Sequence, residues 1–122
     1  MTYPLLTRAT VSSLLPIIDA QRVSLVARGL AKGATPQGFL QAFYAGDLDE
    51  MATTNTTYRQ RREGFIKRHT TPRARLWRPN GHPTRRHLAL ISWAYSPDPD
   101  GLKRYIQREG LKNRQYARYL GD

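Results

Sequence analysis

The segment HPTRRH at residues 82–87 has the best spacing for an anion site. Thr84 is a good N-cap residue, which places Arg85 and Arg86 in the first turn of a predicted helix, where the helix dipole disfavours positive charge. Unbonded N–H groups and two guanidinium groups at one helix end can bind an anion. We therefore expect Arg85 and Arg86 to contact a nucleic-acid phosphate. The alternative is a salt bridge to the acidic cluster at residues 47–50.

Residues 70–83, TTPRARLWRPNGHP, form a predicted long loop rich in proline and arginine. A loop of this length inside a small domain is often functional. An aromatic ring among arginines can stack on an unpaired base while the arginines hold phosphates. Trp77 can equally be a core anchor that pins the loop. The candidate contacts in this loop are Arg73, Arg75, Trp77 and Arg78.

The C-terminal part supplies a third basic group. A predicted helix at 84–95, the turn SPDP and a helix at 99–109 resemble a helix-turn-helix outline. In that arrangement Arg104, Gln107 and Arg108 would face the major groove of DNA, where arginine and glutamine can reach base edges. A last predicted helix carries further arginines. The candidate contacts in these helices are Arg104, Arg108, Arg114 and Arg118.

A helix predicted from Asn55 or Thr56 to about His69 adds two more candidates, Arg59 and Arg62. Helical spacing puts Arg62 and His69 on the apolar stripe, which is an unusual place for them. One interpretation is that Arg62 lays its stem on the core and pairs with a carboxylate. The other is that both residues rim a phosphate-binding groove.

Catalytic chemistry finds little support in the sequence. Residues 80–82, Asn-Gly-His, look superficially like part of a nuclease metal site, but they lack the paired carboxylates or additional histidines that hold a divalent ion. The sequence contains no glycine-rich phosphate loop and no nucleophile elbow. We expect His87 to be a partly buried, hydrogen-bonded histidine. The prediction is a non-enzymatic protein without catalytic residues, metal or cofactor.

The charge of the chain is distributed unevenly between its halves. Residues 1–58 carry four basic and four acidic residues, whereas residues 59–122 carry sixteen and five, so the whole net charge of +11 belongs to the second half. Sixteen of the twenty basic residues are arginines, and the planar guanidinium suits phosphate contacts and base stacking. This asymmetry is the electrostatic pattern expected of a nucleic-acid-binding protein.

Size and composition limit the class of protein. A length of 122 residues predicts one domain, covering residues 1–122. The absence of cysteine excludes disulfides and fits a reducing compartment. The N-terminus does not have the pattern of a signal peptide, and no segment is apolar enough to span a membrane. We expect a soluble protein that is cytoplasmic or nucleoid-associated, or packed in a viral particle, with no membrane partner.

Hydrophobic spacing is helical nearly throughout, and it predicts an all-α domain of five to six short helices around the apolar helix at 84–95. Pro16 is expected to divide the first helical region, because a proline inside a helix costs about 3 kcal/mol. A second helix would then begin at Asp19 and end at Gly29. Thr35, followed by proline, predicts another helix start, with the end at Gly46.

These patterns predict a small basic protein that binds nucleic acid, DNA in preference to RNA, through arginine and lysine contacts to phosphates. The Arg59–Arg78 region, the Arg85–Arg86 helix start and the C-terminal helices should converge on one face. One alternative is a structural component of a virion or nucleoprotein assembly, in which the charge-neutral half contacts a protein partner. Another is a small metal-dependent nuclease.

Overall fold

The computed structural model describes residues 3–23, 38–70 and 75–111. Within these residues the chain forms five helices and one small antiparallel sheet. The elements are α1 (Arg8–Ala20), α2 (Phe39–Ala45), β1 (Met51–Thr53), β2 (Thr56–Thr57), α3 (Tyr58–His69), α4 (Arg85–Ile91) and α5 (Pro99–Glu109).

The sheet corrects the prediction of an all-α fold: the domain is helical, with a two-stranded sheet added to it. Met51 of β1 pairs with Thr57 of β2, and Thr53 pairs with Thr56. These threonine-rich strands are too short to show an alternating pattern in the sequence, although threonine favours extended backbone. The N-cap of α3 is Thr57, the last residue of β2, rather than Asn55 or Thr56, because the Thr57 hydroxyl accepts from the Gln60 N–H.

Helix α1 continues through Pro16, so the predicted break at this proline is wrong. Pro16 is exposed, whereas Leu14, Leu15 and Ile18 on the same helix are completely buried. Burying each such side chain stabilises the fold by about 1.5–3 kcal/mol, which together exceeds the cost of one proline. Asp19 therefore lies inside α1 rather than at the start of a second helix.

Several helix ends match the sequence patterns. Helix α2 ends at Gly46, whose φ of +81° is left-handed, and α3 ends at His69 as predicted. Thr84 caps α4 and Asp98 caps α5 through side-chain oxygens. The predicted helix end at Gly29 and helix start at Thr35 lie outside the described residues.

Helix α4 is shorter than predicted, because it ends at Ile91 instead of near Tyr95. Ala94 adopts a left-handed conformation with φ of +57°, which ends the helical path. Its carbonyl accepts hydrogen bonds from the N–H of Leu6 and from the Arg62 guanidinium. These tertiary bonds hold a conformation that an alanine rarely adopts.

Helix α4 shares the hydrophobic core with α1, α2 and α5. Leu88 and Ile91 of α4 are fully buried. Helix α4 packs against α1 and α3; α5 packs against α1, and α3 packs against α2 and both strands. Among the described helices, none has the length and apolar character needed to cross a membrane.

Candidate nucleic-acid interface

Residues 75–84 form a tight hairpin, so the described part of the predicted 70–83 loop has defined backbone pairing. The Arg78 N–H donates to the His82 carbonyl at 2.8 Å, and the Gly81 N–H donates to the Arg78 carbonyl at 2.9 Å. Gly81 has a φ of +86°. Proline followed by asparagine and a left-handed glycine is a typical sequence for such a turn. Trp77 and Pro83 pair across the hairpin below the turn.

A buried polar network fastens the base of the hairpin to α4. The imidazole of His87 is fully buried; its Nδ1 lies 3.0 Å from the Leu76 carbonyl and its Nε2 lies 2.7 Å from Ser96 Oγ. Because a carbonyl only accepts, Nδ1 carries the proton, and Nε2 accepts from the Ser96 hydroxyl. Burial lowers the pKa of His87 to about 4, so the ring is neutral at pH 7.

The network continues to the start of α5. Ser96 Oγ accepts from the Asp98 N–H at 3.0 Å. The Asp98 carboxylate accepts from the Gly101 N–H and from Trp77 Nε1, both at 3.0 Å. Trp77 also packs edge-to-face against His87. Trp77 is thus half-buried and anchors the hairpin, in agreement with the second of its two interpretations.

The tip of the hairpin contacts the last turn of α5. Arg108 Nη2 donates to the Gly81 carbonyl at 3.1 Å, and its guanidinium carbon lies 5.4 Å from the centre of the Tyr105 ring. A Cβ atom built on Gly81 would lie 3.2 Å from Arg108 Nη2. The left-handed glycine therefore also permits this close approach.

The hairpin and α5 carry four exposed arginines, and Arg86 at the start of α4 adds a fifth; together we call these residues the hairpin–α5 surface. Within residues 75–111 the sequence has seven lysines and arginines against three acidic residues. The carboxylate of Asp98 is held by internal donors, so it neutralises little of this charge at the surface. The arginines of the hairpin–α5 surface are Arg75, Arg78, Arg86, Arg104 and Arg108.

Arg85, although adjacent to this surface, contacts the end of α1. Its Nη1 donates to the Gln21 carbonyl at 2.6 Å, and Nη2 lies 3.4 Å from the Arg22 carbonyl. A cation at the C-terminal end of a helix is favourable with respect to the helix dipole. The predicted alternative for Arg85, a salt bridge to the acidic cluster at residues 47–50, is therefore wrong.

Arg62 lies inside the domain, with 2% of its surface exposed. Its guanidinium donates to the carbonyls of Trp93 and Ala94 at 2.7 and 2.9 Å. It also donates to those of Tyr3 and Pro4 at 2.7 and 2.9 Å. Burial lowers the pKa of Arg62 to about 10, so it stays protonated at neutral pH. Arg62 lies in the core as the first interpretation expected, but its partners are carbonyls rather than a carboxylate. The second interpretation is wrong, because burial keeps Arg62 from a phosphate.

Arg59 lies beside the sheet rather than beside the hairpin. Its Nε donates to Asp49 Oδ1 at 2.9 Å, so this member of the acidic cluster pairs with an arginine of the basic half. The Arg59 hydrogen bond and charge hold the pKa of the Asp49 carboxyl below its usual value. Arg59 also lines a cleft of about 320 Å³, together with Arg8 and Leu48. The expected convergence therefore includes the hairpin, the start of α4 and α5, but not α3.

Metal chemistry has no site among the described residues, because they contain no group of three histidine, cysteine, aspartate or glutamate side chains that could hold an ion. His69 stacks on Phe65 and its Nδ1 lies 2.8 Å from the Phe65 carbonyl. His82 lies beside α5, next to Tyr105. The hydrogen-bonded pair of Ser96 and His87 is not arranged as an exposed nucleophile with its base. Ser96 is only 6% exposed and its Oγ accepts from the Asp98 N–H, so the pair supports the hairpin.

Three residues meet at the tip of the hairpin without any signal in the sequence: His82, which lies beside α5, and its partners Tyr105 and Glu109. The Nδ1 of His82 lies 2.9 Å from the Tyr105 hydroxyl and 3.9 Å from Glu109 Oε1. The residues are far apart in sequence, so no local pattern indicates the contact. The candidates Arg73, Arg114 and Arg118 lie outside the described residues.

Comparison of the chain with protein-family models, with curated proteins and with solved structures finds no match.

Proposed function

We propose that the protein binds nucleic acid through phosphate contacts made by the hairpin–α5 surface, and that duplex DNA is preferred over RNA. The observation that carries the proposal is the clustering of exposed arginines on a hairpin that is fastened to a helix at two points. Trp77 reaches the N-cap of α5, and Gly81 contacts its last turn. The hairpin therefore lies along α5 and combines its charge with that of the helix.

Rigidity supports this proposal as much as charge. A backbone segment that is already ordered before binding loses less conformational entropy when it meets a ligand. The buried network of His87, Ser96 and Asp98 leaves the hairpin backbone few alternative positions. The arginines of the hairpin–α5 surface are thus presented on a fixed scaffold.

The preference for DNA derives from α5. Its outward side carries exposed Lys103, Arg104 and Gln107, and a helix with such side chains can enter the major groove of B-DNA. The major groove of duplex RNA is too narrow and deep for this. The connection between α4 and α5, Ser92 to Asp98, is longer than the three- or four-residue turn of a helix-turn-helix. The proposal therefore concerns α5 itself rather than that motif.

The proposal is tested by titrating labelled duplex DNA, single-stranded DNA and RNA with the full chain at several salt concentrations. We expect duplex DNA to bind most tightly, with an affinity that falls steeply as salt rises. The double variant Arg78→Ala, Arg104→Ala should weaken binding at least about tenfold and lower the salt slope by about two, since each phosphate contact contributes about 0.9 to it.

The matched control is the double variant Lys67→Ala, Arg68→Ala. It removes the same charge from exposed positions of α3, and it should change affinity much less. Equal losses in the two double variants would indicate attraction by net charge without a defined surface. Absence of binding to all three nucleic acids at about 50 mM salt would refute the proposal.

A further inference from the structure

Three polar side chains meet around one aromatic ring where the hairpin contacts α5. Tyr105 is 3% exposed, and the His82 ring packs edge-on against it with a centroid distance of 5.6 Å. The Arg108 guanidinium lies over the same ring. The carboxylate of Glu109 lies close to both of these side chains, with Oε2 3.7 Å from Arg108 Nε and Oε1 3.9 Å from His82 Nδ1.

Arg108 is held in place by groups that do not neutralise it. The Gly81 carbonyl accepts from Nη2, and the Tyr105 ring lies beneath the guanidinium. The side chain remains 56% exposed. Its other N–H groups can therefore reach a ligand, and the planar fork of arginine matches the oxygens of a phosphate.

His82 can supply a second donor to the same ligand. Burial, together with the nearby Glu109 carboxylate, raises the pKa of Tyr105, so its hydroxyl stays protonated. When this hydroxyl donates to His82 Nδ1, the neutral imidazole carries its own proton on Nε2. The ring is 47% exposed, so this N–H can be reached from solvent.

Glu109 is a weak partner for Arg108. Its Oε2 lies 3.7 Å from Arg108 Nε, which is longer than the roughly 2.7–2.9 Å of a charge-assisted hydrogen bond. It receives no proton from His82 Nδ1 when that atom accepts from the Tyr105 hydroxyl. It also lies at the C-terminal end of α5, where the helix dipole disfavours a carboxylate. A phosphate oxygen can approach the Arg108 guanidinium more closely than the Glu109 carboxylate does.

We propose that His82 and Arg108 form a phosphate-binding subsite, and that Glu109 is an internal competitor which a backbone phosphate of duplex DNA displaces. This inference rests on the proposed function and deepens it. It assigns a binding role to His82, and it makes Glu109 a residue that limits affinity. Tyr105 supports the Arg108 guanidinium from below, and the left-handed Gly81 leaves room for it because it has no Cβ atom.

The test is a gain of affinity in the variant Glu109→Gln. Full-length protein is titrated into a labelled DNA duplex at about 50 mM salt, where phosphate contacts are strong. We expect binding about two- to fivefold tighter than that of the wild-type protein, which is the scale of an exposed ion pair. The substitution should leave folding intact, because it removes an unfavourable charge from a helix end.

The matched control is Asp100→Asn on the same helix. It removes the same charge at the opposite end of α5, where Asp100 is exposed in the first turn. Its effect on affinity should be clearly smaller than that of Glu109→Gln. Adding Arg108→Ala to Glu109→Gln should abolish the gain, because the competitor acts only on that guanidinium.

The outcomes separate the two proposals. If the wild-type protein binds DNA but Glu109→Gln gives no gain, a gain equal to that of Asp100→Asn, or a gain that persists with Arg108→Ala, then the subsite is refuted and the proposed function stands. If the wild-type protein does not bind duplex DNA, the proposed function fails and the subsite fails with it.

Discussion

The two arginine-rich regions of the molecule use the same side chain for different purposes. On α3, Arg62 is buried and binds four backbone carbonyls, and Arg59 forms an ion pair with Asp49. On the hairpin–α5 surface the arginines are exposed, and Arg108 is positioned by a carbonyl and a ring. The first region stabilises the fold, whereas the second presents positive charge to solvent.

This difference shows that net charge overstates the surface available to a nucleic acid. A guanidinium whose N–H groups are all directed to carbonyls holds several segments of chain together, as Arg62 does for the N-terminal segment and the end of α4. Removing such a group leaves buried carbonyls without donors, which is costly. Removing an exposed arginine changes mainly the electrostatic attraction to a polyanion.

The largest effect should come from Arg62→Met, which keeps much of the side-chain volume but removes the donors. We expect a loss of about 3–5 kcal/mol in the free energy of unfolding, because the Trp93 carbonyl and two N-terminal carbonyls lose their donor and the Ala94 carbonyl keeps only the Leu6 N–H. Urea unfolding followed by circular dichroism measures it. Arg59→Ala on the same helix is the control and should cost under about 1 kcal/mol. Similar losses in both variants would contradict the structural contrast.

The next largest effect concerns the support of the hairpin and depends on pH. In the unfolded chain His87 binds a proton with a pKa near 6.5, whereas burial lowers its pKa in the folded protein to about 4. Between these values the unfolded state binds more protons, so stability falls as the pH drops. Over the whole interval the loss is about 3 kcal/mol.

Measuring the free energy of unfolding between pH 7 and pH 4 tests this prediction. The variant His87→Gln should be less stable at pH 7 but should lose less stability on acidification than the wild-type protein. If the His87 variant and the wild-type protein show the same dependence, the buried neutral imidazole is not the cause.

The smallest effect compares two neighbouring arginines. Arg85→Ala should lower the free energy of unfolding by about 1 kcal/mol, because Arg85 binds the last carbonyls of α1. Arg86→Ala should leave stability within about 0.5 kcal/mol of the wild-type value and should weaken DNA binding instead. Thermal unfolding and DNA titration of both variants provide the comparison. A larger stability loss for Arg86→Ala would reverse the assignment of these two side chains.

Much of the helical structure could be predicted because it depends on local chemistry. Thr84 and Asp98 cap helices through their own side chains, and Gly46 and Gly110 end them with left-handed backbone. The sheet could not be predicted, since its strands are shorter than any periodic pattern. The continuation of α1 through Pro16 could not be predicted either, because the compensating stabilisation comes from burial against other elements.

The candidate site, like the fold, could be predicted from the sequence only in part. The sequence indicated which segments are basic and that Trp77 could anchor a loop. It could not distinguish Arg62 from its exposed neighbours, because an arginine on an apolar stripe is compatible with several partners. The cluster of His82, Tyr105 and Glu109 joins residues more than twenty positions apart, so only the folded chain brings them together.

By itself, the sequence determined the helical character, the caps of α4 and α5 and the excess of positive charge in the second half, since these depend on residue type and short spacing. The tertiary structure decided which arginines are exposed. That outcome depends on which carbonyls and carboxylates the fold places within hydrogen-bonding distance of each guanidinium, and those partners come from distant parts of the chain.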